Sequence, residues 1–367
     1  MALFFVAGCP ANDPNPTRLD SGGDARRDSG KNDGSATCSR WPLPDVKGDD
    51  PACTAASGDF IPGDANDGWA ACISDDNSYH RFDVNISSIA RVAGFEAIAK
   101  LLLRDGSAPS KQDFISARLA YSQPEGLDSR VSRREDEHFK ATTKKCSDMQ
   151  PPEIAANADR CVGQAQLQPL LNAAFKDGAD GIDPLLNAAR IEAALLWFFY
   201  VSTYKEAVTC TAKQKDCDSA WAYYTGGEKR IGGAGLSRYI STVSKQAHDR
   251  VWDGVLALRC WRDLDQSVPA TNTAMRDRAL AQLDRALLRG LALIVKSRLA
   301  AIDGETCAPQ KPALWLTARI LGQVLLREAD VQDKAQAAIL RAELKKDSGT
   351  ADVKAVVAAI DRLFPCP

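Results

Sequence analysis

The chain has 367 residues, a formal net charge of −2 and an apolar share of 45%. That share supports a sizeable core and excludes a globally disordered chain. The charge lacks the basic excess typical of nucleic-acid-binding domains, so we expect no nucleic-acid partner.

The first nine residues resemble the end of a bacterial lipoprotein signal peptide. The apolar run from Leu3 to Ala7 leads into Val6-Ala-Gly-Cys9, which has the spacing of a lipobox. A leader normally also has a basic segment and a longer apolar segment. We therefore expect the true start to lie upstream, and Cys9 to be lipidated and to anchor an exported protein to the membrane.

Two segments with little apolar content follow. Residues 10–40 contain a single large aliphatic side chain, Leu19, and are otherwise rich in Asn, Asp, Pro, Ser, Gly and Arg. Such a composition cannot offset the entropy of ordering, so it predicts a flexible tether. Residues 41–79 remain rich in Pro, Gly and Asp and predict an irregular cap that disulfides hold in place.

The cysteine count supports export. Eleven cysteines are unusual for a cytosolic protein, and lipidation of one leaves an even ten, which suggests disulfides. No C-x-x-C pair occurs, which disfavours a zinc site. Short polar separations predict the pairs Cys146–Cys161 and Cys210–Cys217. Three further cysteines are expected to compete for one another: Cys38, Cys53 and Cys72.

From residue 80 to residue 367 the apolar spacing is helical, and strand-like alternation is almost absent. The sequence therefore predicts an all-α domain, a bundle of seven to ten helices. The predicted helices cover residues 85–104, 110–121, 155–175, 183–208, 218–224, 236–260, 272–299, 312–328, 331–345 and 351–364.

Two helix starts carry specific signals. Ser110-Lys-Gln-Asp113 resembles a capping box with Asp in place of Glu. Asp183-Pro184 places an N-cap residue before a proline at the first helical position. The helix that follows is apolar on all sides from Ala193 to Val201, which is far too short to span a bilayer and predicts a buried central helix.

The standard catalytic signatures are absent. The chain has no G-x-x-x-x-G-K-[ST], no H-E-x-x-H and no G-x-S-x-G. The run from Gly232 to Gly235 follows no strand and predicts a turn between helices. A peptidase of the helical imelysin group is disfavoured because its G-x-H-x-x-E signature is missing. We therefore expect the protein not to be an enzyme.

The three histidines give weak signals. Glu135-Asp-Glu-His138 contains E-x-x-H, but a ferritin-like iron site needs a second copy, and its charged surroundings predict a solvated helix face. His80 and His248 each have a nearby Asp and suit a metal as nitrogen ligands. The alternative for both is a surface histidine.

Tyrosines and acids cluster around the central helix. Tyr200 and Tyr204 share one face of that helix, and Glu192 lies on the same helix. The block Asp218-Ser-Ala-Trp221-Ala-Tyr-Tyr224 forms a second cluster. Phenolate and carboxylate oxygens suit ferric iron, whereas the alternative is that the rings fill the core and the hydroxyls reach its polar rim.

The order of segments resembles the algal iron-assimilating family, also called high-CO2-inducible or low-iron-inducible periplasmic proteins. The similarity covers roughly residues 80–300, and its specific part is Trp221-Ala-Tyr-Tyr-Thr-Gly226 followed by Lys229-Arg230. Where that family has a His-Glu pair late in the long helix, this chain has Tyr200-Val201. The resemblance carries over Asp218, Trp221 and Tyr224, and it implies iron binding outside the cytoplasm without catalysis.

Two functions are therefore expected of a lipid-anchored protein of the bacterial cell envelope, on the periplasmic side of the outer membrane or at the cell surface. The first is binding iron to assist its uptake. Its candidate metal ligands are Glu192, Tyr200, Asp218 and Tyr224. The alternative is an envelope scaffold or partner-binding lipoprotein without a metal site, for which the four side chains would not meet. The sequence identifies no protein partner.

Overall fold

A computed structural model describes residues 48–103, 107–124, 126–303 and 310–367, the side chain of Asp303 excepted. These residues belong to one compact unit. Their secondary structure is helical, with no β-strand in the described ranges, which confirms the all-α prediction. Cys9, Cys38 and the predicted tether lie outside the described residues.

Thirteen α-helices follow one another in the described ranges, more than the seven to ten predicted. In chain order they are α1 Ser88–Leu102, α2 Lys111–Ser122, α3 Asp128–Val131, α4 Pro151–Ala156, α5 Gln168–Asp180, α6 Pro184–Thr209, α7 Lys215–Thr225, α8 Leu236–Val243, α9 Lys245–Leu264, α10 Thr273–Asp303, α11 Lys311–Gln332, α12 Lys334–Leu344 and α13 Val353–Leu363.

The difference in number arises partly at Ser244. The apolar pattern predicts one helix over 236–260, but the backbone of Ser244 is extended and separates α8 from α9. The Ser244 hydroxyl accepts a hydrogen bond from the Ala247 backbone N–H at 2.9 Å and so caps α9. Hydrophobic periodicity continues across Ser244, so the periodicity does not reveal that the helix is interrupted there.

The predicted helix starts are confirmed. At α2 the Ser110 hydroxyl accepts from the Asp113 backbone N–H at 3.2 Å, and the Asp113 carboxylate accepts from the Ser110 backbone N–H at 2.9 Å. These reciprocal bonds are a capping box. Helix α6 begins at Pro184, as the Asp183-Pro184 pair predicts, but the Asp183 side chain makes no capping hydrogen bond.

Helix α6 is the centre of the core. It packs against α5, α7 and α11, while α10 packs against α9 and α11. The residues from Ala193 to Val201 are all buried, which confirms the prediction of a buried central helix. Among the described helices α6 alone is long and apolar enough to cross a membrane, and 83% of its most apolar window is buried inside the protein.

Four disulfides join cysteines of the described ranges. Cys146–Cys161 and Cys210–Cys217 form as predicted. The expectation that Cys53 and Cys72 compete with Cys38 for one another is wrong, because Cys53 pairs with Cys366 and Cys72 pairs with Cys260 on α9. The described part of the cap, residues 48–79, contains no α-helix and is joined by these two bonds to the helical body.

Candidate functional site

The four residues predicted as metal ligands lie on two neighbouring helices but in four different clusters. Glu192 and Tyr200 belong to α6, and Asp218 and Tyr224 belong to α7. All four are buried. Because each side chain is bonded within its own cluster, the four together do not form one site.

Glu192 belongs to a fully buried ion pair. Its carboxylate contacts the Arg298 guanidinium at 2.5 Å, and neither side chain is exposed. The Tyr239 hydroxyl donates to the same carboxylate at 2.8 Å, and the Thr317 hydroxyl donates to it at 3.2 Å. These three contacts connect α6 to α8, α10 and α11, so the Glu192 carboxylate has a structural role in the core.

Asp218 fixes the chain segment that precedes α1. It accepts hydrogen bonds from the Tyr79 hydroxyl at 2.9 Å and from the backbone N–H groups of Phe82 and Asp83 at 2.9 and 2.8 Å. Burial raises the pKa of this carboxyl although the three donors oppose the rise. The ring of Trp221 stacks on Tyr79 with centroids 4.9 Å apart. Trp221, the residue shared with the iron-assimilating family, thus has a structural role here.

Tyr224 pairs with a histidine. Its hydroxyl lies 2.8 Å from Nδ1 of His248, and Nε2 of His248 lies 2.7 Å from the Arg230 carbonyl. Both rings are buried, so the surface position considered for His248 is wrong. Burial lowers the pKa of His248, which favours the neutral ring. His80 is partly exposed and contacts Asp76 at 2.8 Å.

Tyr200 belongs to a cluster of a different kind, in which three donor atoms form a triangle. The Tyr200 hydroxyl donates to Oδ1 of Asp284 at 2.8 Å and lies 3.2 Å from Nε2 of His138. Nε2 of His138 lies 3.1 Å from the same Asp284 oxygen. The triangle joins α6, α10 and the loop that follows α3.

The predicted position of His138 is wrong. The charged run around it predicts a solvated helix face, but residues 134–139 form a loop and the His138 side chain is 3% exposed. Asp136 shapes this loop, because its Oδ1 accepts from the His138 backbone N–H at 3.0 Å and contacts Nδ1 of the ring at 2.6 Å. Both ring nitrogens therefore face carboxylates.

The carboxylates determine the charge of His138. Burial alone lowers the pKa of the imidazole, but Asp284 and Asp136 outweigh it and raise the pKa to about 9. His138 is therefore an imidazolium near neutral pH. Arg327 donates to the second oxygen of Asp284 at 3.1 Å. Burial raises the pKa of Asp284, but His138 and Arg327 outweigh it and lower the pKa below its ordinary value.

Two cavities border the cluster. The larger, of about 620 Å³, is lined by Asp284 and Tyr204 together with Asp277, Glu328 and Arg285. The smaller, of about 400 Å³, is lined by other members of the cluster: Tyr200, Asp136 and Arg327. Arg285 is paired with Asp59 at 2.6 Å, and the acids of the larger cavity also have cationic partners, Arg276 for Asp277 and Arg327 for Asp284 and Glu328.

The chain matches no known family model, no curated protein and no solved structure. The resemblance to the iron-assimilating family therefore stays a prediction.

The triangle has the size of one face of a metal site. Bonds of about 2.1 Å place adjacent ligands of an octahedral ion about 3.0 Å apart, and the three atoms are separated by 2.8 to 3.2 Å. Imidazole and oxygen donors suit iron. In the described ranges no group of three His, Cys, Asp or Glu side chains is placed to hold a metal, and the triangle has two such side chains and one phenol.

The sequence predicts one corner of this triangle, Tyr200, and not the other two. His138 carries the E-x-x-H signal, but its charged neighbours indicate a solvated face. Asp284 has no local signal at all. It is one acid on an amphipathic helix, and only the fold places it opposite Tyr200.

Proposed function

We propose that this protein binds a metal ion, with iron the best match, outside the cytoplasm and assists its uptake without catalysing a reaction. The observation that carries the proposal is the triangle formed by Nε2 of His138, Oη of Tyr200 and Oδ1 of Asp284. Its atoms come from three distant parts of the chain and lie 2.8 to 3.2 Å from one another.

The ligand set dictates how protons balance. In the metal-free protein His138 carries a proton on Nε2 and Tyr200 carries one on its hydroxyl. Coordination of an ion at the triangle releases both protons to solvent and leaves an imidazole, a phenolate and a carboxylate. Ferric iron favours this exchange because its high charge stabilises the anionic oxygen ligands.

The larger cavity supports access for a cation. Asp277, Asp284 and Glu328 line it, and Asp284 also belongs to the triangle. Carboxylate oxygens are ligands that a metal cation accepts in place of water. In this proposal the ion reaches the triangle through this cavity, from the side of Asp284.

An extracytoplasmic location is supported by the cysteines. The four disulfides of the described ranges are typical of oxidising compartments. The lipobox-like segment ending at Cys9 supplies the anchor in this proposal. A multiply acylated cysteine binds membranes firmly, because each buried CH₂ contributes about 0.8 kcal/mol.

The test compares two tyrosines. Ferric iron is added to the purified protein, and the visible charge-transfer absorption of an iron–phenolate bond is followed together with the bound iron content. Tyr200→Phe is expected to abolish the absorption. Tyr224→Phe is the matched control, because Tyr224 is also buried on a neighbouring helix and also bonded to a histidine; it is expected to retain the absorption.

Two results would overturn the metal proposal. One is wild-type protein that acquires neither iron nor the absorption band. The other is equal loss of the band in both tyrosine variants, which would place iron elsewhere. Stability of each variant against urea is measured alongside, so that a folding defect is not confused with the loss of a ligand.

The alternative function is an envelope scaffold without a metal site. Two observations favour it. The four residues predicted as ligands lie in separate clusters. The three side chains of the triangle are also already hydrogen-bonded to one another, and Arg327 donates to Asp284. In that case His138, Tyr200 and Asp284 only join the loop after α3 to α6 and α10. Absence of iron binding in the wild-type protein, with a stability loss in Tyr200→Phe, supports this alternative.

The anchor has its own test. Cys9→Ser removes the thiol that would be lipidated, so the variant is expected to leave the membrane fraction of fractionated bacterial cells. An unchanged amount of protein in the membrane fraction contradicts lipidation at Cys9. It does not bear on the metal proposal. Metabolic labelling with a fatty acid provides the direct readout.

A further inference from the structure

The smaller cavity, of about 400 Å³, differs from the larger one in its lining. Three aromatic residues line it, namely Phe139, Trp197 and Tyr200. Its other lining residues are mainly planar polar side chains: Asp136, Asp159, Gln166, Gln323, Arg327, Asp330 and Arg341. A cavity of this size takes a small organic molecule.

Most charges that line this cavity already have partners. Arg341 pairs with Asp330 at 2.5 Å, and Arg327 pairs with Asp284 and with Glu328 at 3.1 and 3.2 Å. Asp136 is bonded to His138. Because these charges compensate one another, the cavity offers no strong excess of either sign to a small ion.

The groups left over form hydrogen bonds. The indole N–H of Trp197, which is 9% exposed as a residue, has no hydrogen-bond partner among the described residues. The side chains of Gln323 and Asp159 also line the cavity, and in the described ranges neither is bonded to another group. The three supply an indole donor, an amide that both donates and accepts, and a carboxylate acceptor.

We propose that this cavity binds a small polyhydroxylated molecule, a monosaccharide or a disaccharide unit. Each sugar hydroxyl both donates and accepts, which matches an indole N–H, an amide and a carboxylate. The apolar C–H face of a sugar ring matches an aromatic lining. A neutral ligand also matches the mutual compensation of the arginines and acids.

The test uses metal-free protein treated with a chelator, so its outcome is separate from that of the metal proposal. Binding of D-glucose, D-galactose, N-acetyl-D-glucosamine and maltose is measured by saturation-transfer NMR. At least one of these sugars is expected to bind with a Kd on the order of 1 mM or tighter. Removal of one hydrogen-bonding group is expected to weaken binding by about three- to tenfold.

Two variants with matched controls locate the site. Trp197→Phe removes the indole N–H and keeps an aromatic ring, and its control is Trp252→Phe on α9. Gln323→Ala removes an exposed amide from α11, and its control is Gln112→Ala, an exposed helical position on α2. Both cavity variants are expected to weaken sugar binding, and both controls are expected to retain it.

The proposal is overturned if none of the four sugars binds, or if the cavity variants bind as tightly as the wild type. Glycine and arginine serve as charged probes in the same experiment. Preferential binding of either to the wild-type protein contradicts the assignment of a neutral ligand. Because Gln323 is exposed, its variant remains informative even if Trp197→Phe impairs folding.

Discussion

The imidazole ring of His138 lies nearly parallel to the phenol ring of Tyr204, with ring centroids 3.6 Å apart and planes inclined by 14°. A cation over the face of an aromatic ring is stabilised by the negative potential of that face. Tyr204 thus favours the same protonated form of His138 that Asp136 and Asp284 favour. The stack also covers the one charged ring of the triangle on the side of the larger cavity, which Tyr204 lines.

The first prediction concerns stability of the metal-free protein against pH. Folding raises the pKa of His138 from 6.5 to about 9, so the native state holds this proton more tightly than the unfolded state does. The resulting stabilisation is complete below the unfolded pKa and disappears as the pH rises through about 9. Its size is about 3 kcal/mol.

Urea unfolding of wild type and His138→Gln at several pH values measures this contribution. The wild type is expected to lose stability between about pH 6.5 and 9, and the variant is expected to lose much less over the same interval. Equal slopes in the two proteins would show that His138 does not titrate as described.

The second prediction concerns Tyr204. Replacement by Leu removes the aromatic face, which contributes about 1 kcal/mol to a stacked cation. The pKa of His138 is therefore expected to fall by somewhat less than one unit, as measured by NMR titration of its ring protons. Tyr224→Leu, at the ring that lies beside His248, is the control and should leave His138 unchanged. An unshifted His138 in Tyr204→Leu would assign the raised pKa to the carboxylates alone.

The third prediction concerns Asp253 on α9, which is remote from the triangle. Burial raises the pKa of Asp253 from 3.8 to about 6, although Arg230 and Arg250 oppose the rise. One carboxylate oxygen has no hydrogen-bond partner in the described part of the chain. The native state therefore binds a proton more tightly than the unfolded state does, and this group stabilises the fold at low pH only.

The contribution of Asp253 is complete below about pH 4 and is lost as the pH rises through about 6. In Asp253→Asn this contribution is absent, so the unfolding free energy is expected to change less with pH across that interval than in the wild type. Urea unfolding of both proteins measures the difference. Asp361→Asn, an exposed acid on α13 that is not among the groups that shift the pKa of Asp253, controls for the loss of a charge. A flattening of equal size in both variants would contradict the assignment to Asp253.

Local chemistry explains which parts of the fold the sequence could predict. The capping box at Ser110 and the Asp183-Pro184 start act within four residues of the chain, and both are found where predicted. The all-round apolar stretch from Ala193 to Val201 can only be buried, so the central helix follows from composition. The break at Ser244 interrupts a pattern that is helical on both sides, and its one local signal is the serine itself, an N-cap residue that also occurs inside helices.

The candidate site depends on contacts that are distant in sequence. The run from Arg133 to His138 predicts a solvated helix face, because the sequence does not show which residues pair with its charges. In the fold Arg160 contacts both Glu135 and Glu137, at 2.9 and 2.8 Å. Neutralisation of these two acids by a residue more than twenty positions away lets the loop turn His138 inward.

The fourth prediction concerns the buried ion pair of Glu192 and Arg298. Removal of one partner leaves an uncompensated charge where water cannot reach it, at a cost of about 3–5 kcal/mol. Arg298→Met is therefore expected to destabilise the protein strongly. The double variant with Glu192→Gln is expected to be less destabilised than the sum of the two single variants, as measured by a double-mutant cycle in urea. Strict additivity would show that the two side chains are not coupled.

The last prediction uses the two short disulfides, which enclose loops of different length. Cys146–Cys161 is separated by 15 residues and Cys210–Cys217 by 7. Restriction of the unfolded chain gives about 3 kcal/mol for the longer loop and about 0.7 kcal/mol less for the shorter. Replacement of each pair by serines is expected to destabilise the protein in that order in urea.

The longer loop also supports the triangle, which gives the comparison a second readout. Cys161 adjoins Arg160, and the Cys146 backbone N–H donates to Glu135 at 2.9 Å, so this disulfide holds the partners of the His138 loop. Loss of Cys146–Cys161 is expected to lower the pKa of His138 because the loop loosens and the ring is less firmly held against Asp284. Loss of Cys210–Cys217 is expected to leave the pKa of His138 unchanged. An equal fall of this pKa in both serine variants would show that general loosening of the fold, and not this loop, lowers it.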